Sequence, residues 1–463
     1  MRPAITHASP ATPQGIGGVL RTFRPSAYPL LVRANLRHEM VAVVFFSFLL
    51  AGVETGIVTV LVKKGFAGVV PAAQLNVIVA MLGASKAIAN LTSFIWVRLN
   101  HGRDKIVFTT SLQTTCAVVV VLLALVPTNR TGLYLFAAGV LLARMAWAGF
   151  ITIRSTIWSV NYPRQVRATV TGKLATIQVV TLGLLGVGIG VAMDADDRAF
   201  RVLLPVGAVL GLIGIVAWRR IRVRGHSRLL EGERSDGRAP SFNPLHMASI
   251  LREDRPFAAY MGCMFLLGMG NLMVAPLLAI VVVDRFDMGY GPAMLVTNTI
   301  PFLVMPLAVP LWSSLLSRMH VVRFRVIHAQ VFTLANALFF TAAMLKIEWL
   351  LYVAAAIQGT AFGGGALAWT LGHLDFAPPN RSSAYMGVHV TLTGVRGVIA
   401  PFLGVSLDTA LVHAGIAPQG AVLALSATLS LLGGVGFLIL SRRMKTIARH
   451  EAVETTPISK AGL

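Results

Sequence analysis

The sequence has few charged residues and few cysteines, and both shortages narrow the class of protein. Only 13% of the 463 residues are charged, about half the roughly 25% of an ordinary soluble domain. So little charge excludes a large water-exposed surface. A hydrophobic fraction of 56% and a mean hydropathy of +0.73 indicate a chain that crosses a membrane many times. The two cysteines, Cys116 and Cys263, both lie in apolar segments, which excludes a disulfide framework and a cysteine metal site.

Motifs for catalysis, metal binding and ATP hydrolysis are also missing. His38 and Glu39 are not followed by the second histidine that a zinc HExxH motif needs, and no P-loop occurs. The glycine runs at 183–190 and 363–365 lie within apolar segments, where they indicate close helix packing and not a dinucleotide loop. The sequence therefore predicts neither an enzyme nor a bound cofactor or metal, and any work it does would draw on a gradient.

What the chain has in quantity is apolar segments of about 20 residues, each long enough to cross the hydrocarbon of a bilayer. We count twelve, in two sets of six. The first 38 residues are polar and lack a cleavable signal region, so the first apolar segment is predicted to be a retained span. The segments lie near 40–62, 74–97, 106–126, 132–153, 174–193, 202–218, 257–283, 291–316, 326–345, 349–372, 384–407 and 419–440.

The distribution of lysine and arginine predicts how the spans are oriented. With the N-terminus in the cytoplasm, thirty of the forty basic residues fall in cytoplasmic loops and tails, seven in external loops and three inside spans. This asymmetry follows the positive-inside rule and places both termini in the cytoplasm, in a cell inner (plasma) membrane. The basic loops are expected to face anionic lipids, so the net charge of +22 requires no nucleic acid.

A long polar stretch at 219–256 divides the chain into two halves. The predicted organisation is a cytoplasmic arm, a six-helix half, a basic linker, a second six-helix half and a tail, at 1–38, 39–218, 219–256, 257–441 and 442–463. Several residues recur at an offset of 215 or within one residue of it, which indicates an internal duplication. These pairs are Gly149 and Gly364, Pro163 and Pro378, Gly172 and Gly387, Thr176 and Thr391, Trp96 and Trp312, and Asp194 and Asp408.

A duplicated chain of six plus six spans with a basic central linker resembles the major facilitator superfamily. The loop after span 2 resembles the gating-loop motif of that family at Gly102 and Arg103, whereas Ile95 and Leu99 stand where the motif has glycine and aspartate. The resemblance implies an all-α polytopic membrane protein, with twelve transmembrane helices in two six-helix pseudo-symmetric halves around a central cavity. It also implies alternating access and a monomer.

Charged residues inside the spans are the best indicators of a site, because burying a charge in a membrane is costly. Glu54, Lys86, Arg144 and Arg396 each lie about 12 to 14 residues from the end of their own span. At 1.5 Å per residue this is roughly 18–21 Å along a helix, near the middle of the membrane, where transporters with repeated halves bind their substrate.

Span 11 carries His389, Thr393 and Arg396 at positions i, i+4 and i+7, which share one helix face. We expect this face to line an interior cavity and to bind substrate together with Arg144. The amides Asn271, Asn298 and Gln358 are further substrate-binding candidates, although amides also join helices.

Glu54 and Lys86 lie at similar depth in neighbouring spans, and we expect that they pair and have a proton-coupling role. A buried ion pair can equally be structural, and that alternative stays open. The excess of embedded cations favours secondary transport of a small organic anion or zwitterion. The alternatives are a proton-linked exporter of lipophilic compounds, and a membrane scaffold or assembly factor that has lost transport.

Overall fold

The chain folds into a bundle of helices. The computed structural model describes residues 23–235, 244–378 and 381–454, and these contain no strand. Twelve helical spans in the described part are long and apolar enough to cross a membrane, which confirms the predicted count. They are Leu30–Gly65, Ala72–Asn100, Lys105–Leu123, Arg130–Asn161, Thr169–Ala195, Phe200–Arg219, Arg255–Arg285, Tyr290–Leu316, Val321–Leu345, Glu348–Asp375, Ala384–His413 and Leu423–Met444, and we number them spans 1 to 12.

Several spans are interrupted or extend past their apolar part. Span 1 consists of two helices, Leu30–Ala51 and Thr55–Gly65. Span 8 is wound as a π-helix at Leu295–Thr299 between α-helices Tyr290–Met294 and Ile300–Leu316. The remaining interrupted or extended elements are Ala72–Leu91 with Ser93–Asn100, Arg164–Ala195, Arg255–Ile280 with the π-helix Val281–Arg285, Glu348–Leu371 with the 3-10 turn Gly372–Asp375, Ser382–His413 and Leu423–Glu454.

The predicted boundaries need correction at the polar ends of some spans. Span 1 begins at Leu30, inside the predicted arm 1–38, and span 9 begins at Val321 instead of 326. The predicted linker contains two short helices, His226–Ser235 and Pro244–Glu253. Residues 1–22 of the arm, 236–243 of the linker and 455–463 of the tail lie outside the described residues.

Local sequence accounts for where many spans begin. Asp104, Asn129 and Asp254 each accept a hydrogen bond from a backbone N–H in the first turn of spans 3, 4 and 7. Such caps satisfy N–H groups that have no partner within the helix. The first helices of spans 1 and 2 follow Pro29 and Pro71, whose fixed φ suits the residue before a helix.

The two halves repeat the same helix contact. A Cβ on Gly149 in span 4 would lie 2.8 Å from the ring of Trp96, and a Cβ on Gly364 in span 10 would lie 2.8 Å from the ring of Trp312. In both halves a glycine therefore lets a tryptophan of a neighbouring span lie against the helix backbone. The predicted duplication thus recurs as an equivalent packing contact.

The bundle has two ends, which we name by their contents. The basic end is where span 1 begins, span 12 ends and both linker helices lie. The opposite end, which we call the sealed end, carries most of the hydrogen bonds and ion pairs between the halves. Lys63 of span 1 pairs with Asp284 of span 7 at 2.6 Å, and Asp194 of span 5 accepts hydrogen bonds from the backbone N–H groups of Tyr290 and Gly291 in span 8 at 2.6 and 2.8 Å.

The apolar core shows the same difference between the ends. One cluster runs from the N-terminal half into the C-terminal half and includes Leu61 and Ile78 together with Leu277 and Ala293. The basic end of the C-terminal half has a separate core, built around residues such as Phe257. The apolar core shared by the two halves therefore lies towards the sealed end, whereas the basic ends have separate cores.

Candidate functional site

A break in span 1 positions the deepest carboxylate. Glu54 lies between the two helices of the span with extended backbone angles and precedes the first turn of Thr55–Gly65. A carboxylate at a helix N-terminus is favoured by the helix dipole, and discontinuous spans are where transporters with repeated halves place binding groups. The sequence pattern predicted a continuous helix here, so the break is a feature that the structure adds.

Glu54 forms its ion pair with Arg144, not with Lys86. The Oε2 atom of Glu54 accepts a hydrogen bond from Nη2 of Arg144 in span 4 at 3.2 Å, and the two side chains are 14% and 6% exposed. The Nε atom of Arg144 is buried without a partner among the described residues. Two predicted site residues thus come together, although they were assigned to different roles.

The predicted contact between Glu54 and Lys86 is wrong. Lys86 forms no ion pair with a described residue and is exposed. It nevertheless shares a helix face with the buried residues Leu75, Val79 and Leu82, because the four lie at positions i, i+4, i+7 and i+11.

The polar face predicted for span 11 is turned into the C-terminal half. Arg396 is 5% exposed; its Nη1 atom donates to the carbonyl of Met264 in span 7, and Nη2 donates to Oγ1 of Thr393 at 3.1 Å. Span 7 accommodates the guanidinium because residue 268 is glycine: a Cβ there would lie 2.4 Å from Nε of Arg396. Among the described residues Arg396 has no carboxylate partner.

His389 lies next to this arginine and is also buried. It is 2% exposed, and neither of its ring nitrogens has a hydrogen-bond partner among the described residues. The ring of Trp369 in span 10 lies edge-on to it with centroids 5.6 Å apart. His389, Thr393 and Arg396 therefore form a continuous polar strip with unused donors.

Two of the three predicted amides join helices. Asn271 accepts hydrogen bonds from Asn336 and Ser430, both at 3.2 Å, and so ties span 7 to spans 9 and 12. Asn298 donates from Nδ2 to the carbonyl of Leu182 at 3.1 Å, between spans 8 and 5. Gln358 is 6% exposed and makes no side-chain hydrogen bond with a described residue, so of the three it is the one whose amide stays available.

The loop after span 2 binds the linker. Gly102 has φ of +68°, a conformation that favours glycine, and its N–H donates to Glu233 of the linker at 2.8 Å. The same carboxylate pairs with the buried Lys105 at 2.6 Å, and Arg234 donates to the carbonyl of Gly102 at 3.1 Å. Arg103 is exposed. Leu99 stands where the family motif has an aspartate, and here the linker supplies a carboxylate to this loop.

Sequence reasoning missed the buried carboxylate of Glu39 in span 1. Glu39 is 2% exposed and accepts hydrogen bonds at 2.6 Å from Nε1 of Trp158 and from the hydroxyl of Tyr162. The guanidinium of Arg154 lies 4.2 Å from the centre of the Trp158 ring. The sequence does contain a sign of this site: Trp158 and Tyr162 lie at positions i and i+4, which places two hydrogen-bond donors on one helix face.

It also missed three basic or polar groups in the C-terminal half: Arg325 of span 9, His373 at the end of span 10 and Tyr260 of span 7. They are 2%, 7% and 0% exposed, and each has a buried side-chain atom without a hydrogen-bond partner among the described residues. Electrostatic interactions connect Arg325 with Arg396 and with His389. Arg325 was assigned to a loop, because an arginine lowers the hydropathy that marks a span.

Comparison with known proteins agrees with this architecture. The profile of the Major Facilitator Superfamily matches residues 40–401, whereas a search of curated proteins finds no match. Among solved structures, a nucleoside transporter, NupG, has a TM-score of 0.65 at 14% identity over 88% of this chain and 99% of its own. A POT family transporter, PepTSo, has a TM-score of 0.67 at 12% identity over 90% and 99%. The xylose transporter XylE from E. coli, in a partially occluded inward open conformation, has a TM-score of 0.61 at 10% identity over 87% and 98%.

Proposed function

Because the chain belongs to the Major Facilitator Superfamily, we propose that it is a secondary active transporter that moves a small organic anion or zwitterion by alternating access. The similar structures carry different cargoes, namely nucleosides, peptides and xylose. The cargo class is therefore argued from the charges of this chain alone.

One observation carries the cargo class: the embedded cations outnumber the embedded carboxylates at mid-depth. Arg144 is neutralised by Glu54, whereas Arg396 and Lys86 have no carboxylate partner among the described residues. A cation in a membrane interior is costly unless something negative meets it. A negatively charged cargo group would supply that charge during part of the transport cycle.

Glu54 is the proposed proton carrier. Its side chain is 14% exposed and its only ion pair in the described part of the chain is with Arg144. Protonation of Glu54 would remove that pair and release the guanidinium towards the cargo. Glu54→Gln should therefore still exchange cargo across a membrane but should no longer respond to a pH gradient.

We further propose that the basic end faces the cytoplasm of the cell, in its inner membrane, with anionic lipids at that face. The excess of lysine and arginine at this end supports the orientation. In this conformation the site would then be open to the cytoplasm and closed to the outside.

The test is uptake of labelled small acids, amino acids and lipophilic cations into proteoliposomes, with and without a pH gradient. Arg396→Gln is compared with Arg318→Gln, an exposed arginine at the basic end. Uptake of an acid or zwitterion that Arg396→Gln abolishes and Arg318→Gln leaves intact supports the proposal. If both variants transport lipophilic cations, the proposal is replaced by the alternative of a lipophilic-compound exporter. If none of the compounds is transported, the alternative of a membrane scaffold is favoured.

A further inference from the structure

The C-terminal half contains a buried group of basic and hydroxyl side chains drawn from four spans. We call it the C-half cluster: Tyr260 of span 7, Arg325 of span 9, His373 of span 10, and His389 and Arg396 of span 11. All five are at most 7% exposed. Arg325 interacts electrostatically with both Arg396 and His389, His373 interacts with His389, and Tyr260 interacts with Arg396, so the five form one group.

The cluster has more hydrogen-bonding atoms than the protein uses. Hydrogen-bond partners among the described residues are missing for both ring nitrogens of His389, for Nε of Arg325 and of Arg396, for Nδ1 of His373 and for the hydroxyl of Tyr260. The bonds that exist are to neutral groups. Arg325 contacts Nδ1 of His328 at 3.2 Å, and Arg396 donates to Met264 and Thr393.

The acidic residues of this region are engaged elsewhere. Asp254 accepts hydrogen bonds from Tyr385 and from the backbone of Phe257. Glu253 pairs with Arg381, and Asp375 caps the start of span 9 at the N–H of Val321. Two guanidinium groups are thus buried together with no carboxylate paired to either in the described part of the chain.

The N-terminal half fills its corresponding region differently. There Glu39 accepts hydrogen bonds from Trp158 and Tyr162 and offsets the charge of Arg154. The residue 215 positions after Glu39 is Asp254, which is used as the cap of span 7. The C-terminal half therefore lacks the internal carboxylate of its counterpart, and the repeated fold does not account for the unpaired cations.

The cluster extends inward from the basic end. Arg325 is the fifth residue of span 9 and His373 lies in the last turn of span 10, both near the basic end. Arg396 lies 14 residues into the helix that begins at Ser382, which is roughly 21 Å at 1.5 Å per residue. Trp369 borders the middle of the cluster: its ring lies edge-on to that of His389, and its Nε1 atom is 3.4 Å from Oγ1 of Thr393.

We propose that the C-half cluster binds a small oxyanion, a carboxylate or phosphate group of the cargo, inside the C-terminal half between spans 7, 9, 10 and 11. The guanidinium of arginine presents parallel N–H groups that match the geometry of carboxylate and phosphate oxygens. One ring N–H of His389 and the hydroxyl of Tyr260 add further donors. The assignment of the ligand as cargo rests on the proposed function, whereas the binding itself does not.

The test is anion binding to the purified full-length protein in detergent, measured by calorimetry at constant ionic strength with succinate and with inorganic phosphate as separate probes. Arg325→Gln removes one cation of the cluster. Arg323→Gln is the matched control, because Arg323 lies two residues away on the same span and is exposed. We expect Arg325→Gln to weaken binding about tenfold or more, as loss of one partner of a buried charged contact does, and Arg323→Gln to leave it unchanged.

A second readout separates binding from structure. If the cluster serves a ligand, unliganded Arg325→Gln should unfold at the same temperature as the wild type or higher, because an uncompensated buried charge has been removed. A lower unfolding temperature with unchanged anion affinity would assign Arg325 a structural role and overturn the proposal. Should Arg325→Gln fail to fold, His389→Gln tests the same site, and unchanged affinity in that variant would equally overturn it.

The two probes identify the source of the oxyanion. Binding of succinate but not phosphate assigns a carboxylate cargo, the reverse assigns a phosphate, and binding of neither to the wild type at millimolar concentration contradicts the site. The outcomes also separate this site from the transport function. If Arg325→Gln still takes up the anion, the anion site in the C-half cluster is refuted but the transport function stands. If the wild type binds the anion but does not take it up, the site stands and the transport function is refuted.

Discussion

At the scale of single residues, the chain is defined by charges placed where a membrane disfavours them. Glu54 and Arg144 neutralise each other across spans 1 and 4 at 3.2 Å, while Arg396 is held by a carbonyl and a hydroxyl. The first arrangement is satisfied within the protein, and the second keeps its charge available. This difference is the basis of our proposal that the Glu54–Arg144 pair serves coupling and that Arg396 binds cargo.

Removal of one member of the Glu54–Arg144 pair should destabilise the protein. Arg144→Gln leaves a largely buried carboxylate without its partner, which costs about 3 kcal/mol in comparable buried pairs. The double variant Glu54→Gln/Arg144→Gln should recover much of that loss. Thermal unfolding in detergent measures it, and single losses that simply add up in the double variant would show that the two side chains are not coupled.

The embedded charges of Glu54, Arg144 and Arg396 were predictable from sequence, but their partners were not. Depth along a helix follows from counting residues, whereas the Glu54–Arg144 contact depends on how spans 1 and 4 are rotated against each other. Glu39 and Arg325 were missed for another reason. A polar residue near a span end lowers the local hydropathy, so the predicted spans began at 40 and 326 and left both residues outside, whereas the helices begin at Leu30 and Val321.

At the scale of elements, irregular segments of spans 1 and 8 bring the halves together. Gly56 lies in the first turn after the break in span 1, and its carbonyl accepts a hydrogen bond from Thr297 in the π-helical part of span 8 at 2.7 Å. A Cβ on Gly56 would lie 2.4 Å from the carbonyl oxygen of Thr297. This contact between backbones can therefore form only with glycine at residue 56.

Gly56→Ala should shift the protein away from the conformation closed at the sealed end. Backbone atoms cannot move aside as a flexible side chain can, so the methyl group forces spans 1 and 8 apart. Thiol labelling of a cysteine placed at Asn76, which is buried near the sealed end, should become several-fold faster. Gly262→Ala is the control, since a Cβ there meets no atom within 4 Å, and equal labelling in both variants would refute the role of this contact.

The linker helix His226–Ser235 is held to the loop after span 2 by the carboxylate of Glu233. Partial burial raises the pKa of Glu233, but hydrogen bonds from Lys105 and from the N–H of Gly102 outweigh it and hold the pKa below its ordinary value of 4.5. Because the pKa of Glu233 is lowered when the helix is docked, docking is stabilised at any pH above the ordinary pKa of glutamate. This stabilisation is lost as the pH falls through the lowered pKa.

Glu233→Gln should release this helix at neutral pH. Hydrogen bonds to a charged group contribute about 1.5 kcal/mol or more, so hydrogen exchange across residues 226–235 should become about tenfold faster. Glu231→Gln, on the exposed side of the same helix, serves as the control. Exchange that is unchanged in Glu233→Gln, or equally fast in both variants, would contradict the docking role.

At the scale of the whole molecule, the architecture was predictable and the conformation was not. The count of twelve spans follows from hydropathy, and the duplication is visible in pairs such as Trp96 with Trp312. Which end is closed depends on contacts between distant residues, such as Lys63 with Asp284 and Asp194 with Tyr290, which no local pattern reveals. The asymmetry of those contacts is what supports the proposed alternating access.

Cross-linking the sealed end tests the central claim, that transport requires this end to open. Asn76 of span 2 donates to Thr409 of span 11 at 3.1 Å, so cysteines at both positions, in a protein with Cys116→Ala and Cys263→Ser, can be joined by oxidation. Uptake into proteoliposomes is measured before oxidation, after it and after reduction, using the labelled compound that the wild type accumulates. Our account predicts that uptake stops in the cross-linked protein and returns on reduction. Uptake that continues at the same rate through fully cross-linked protein would contradict it.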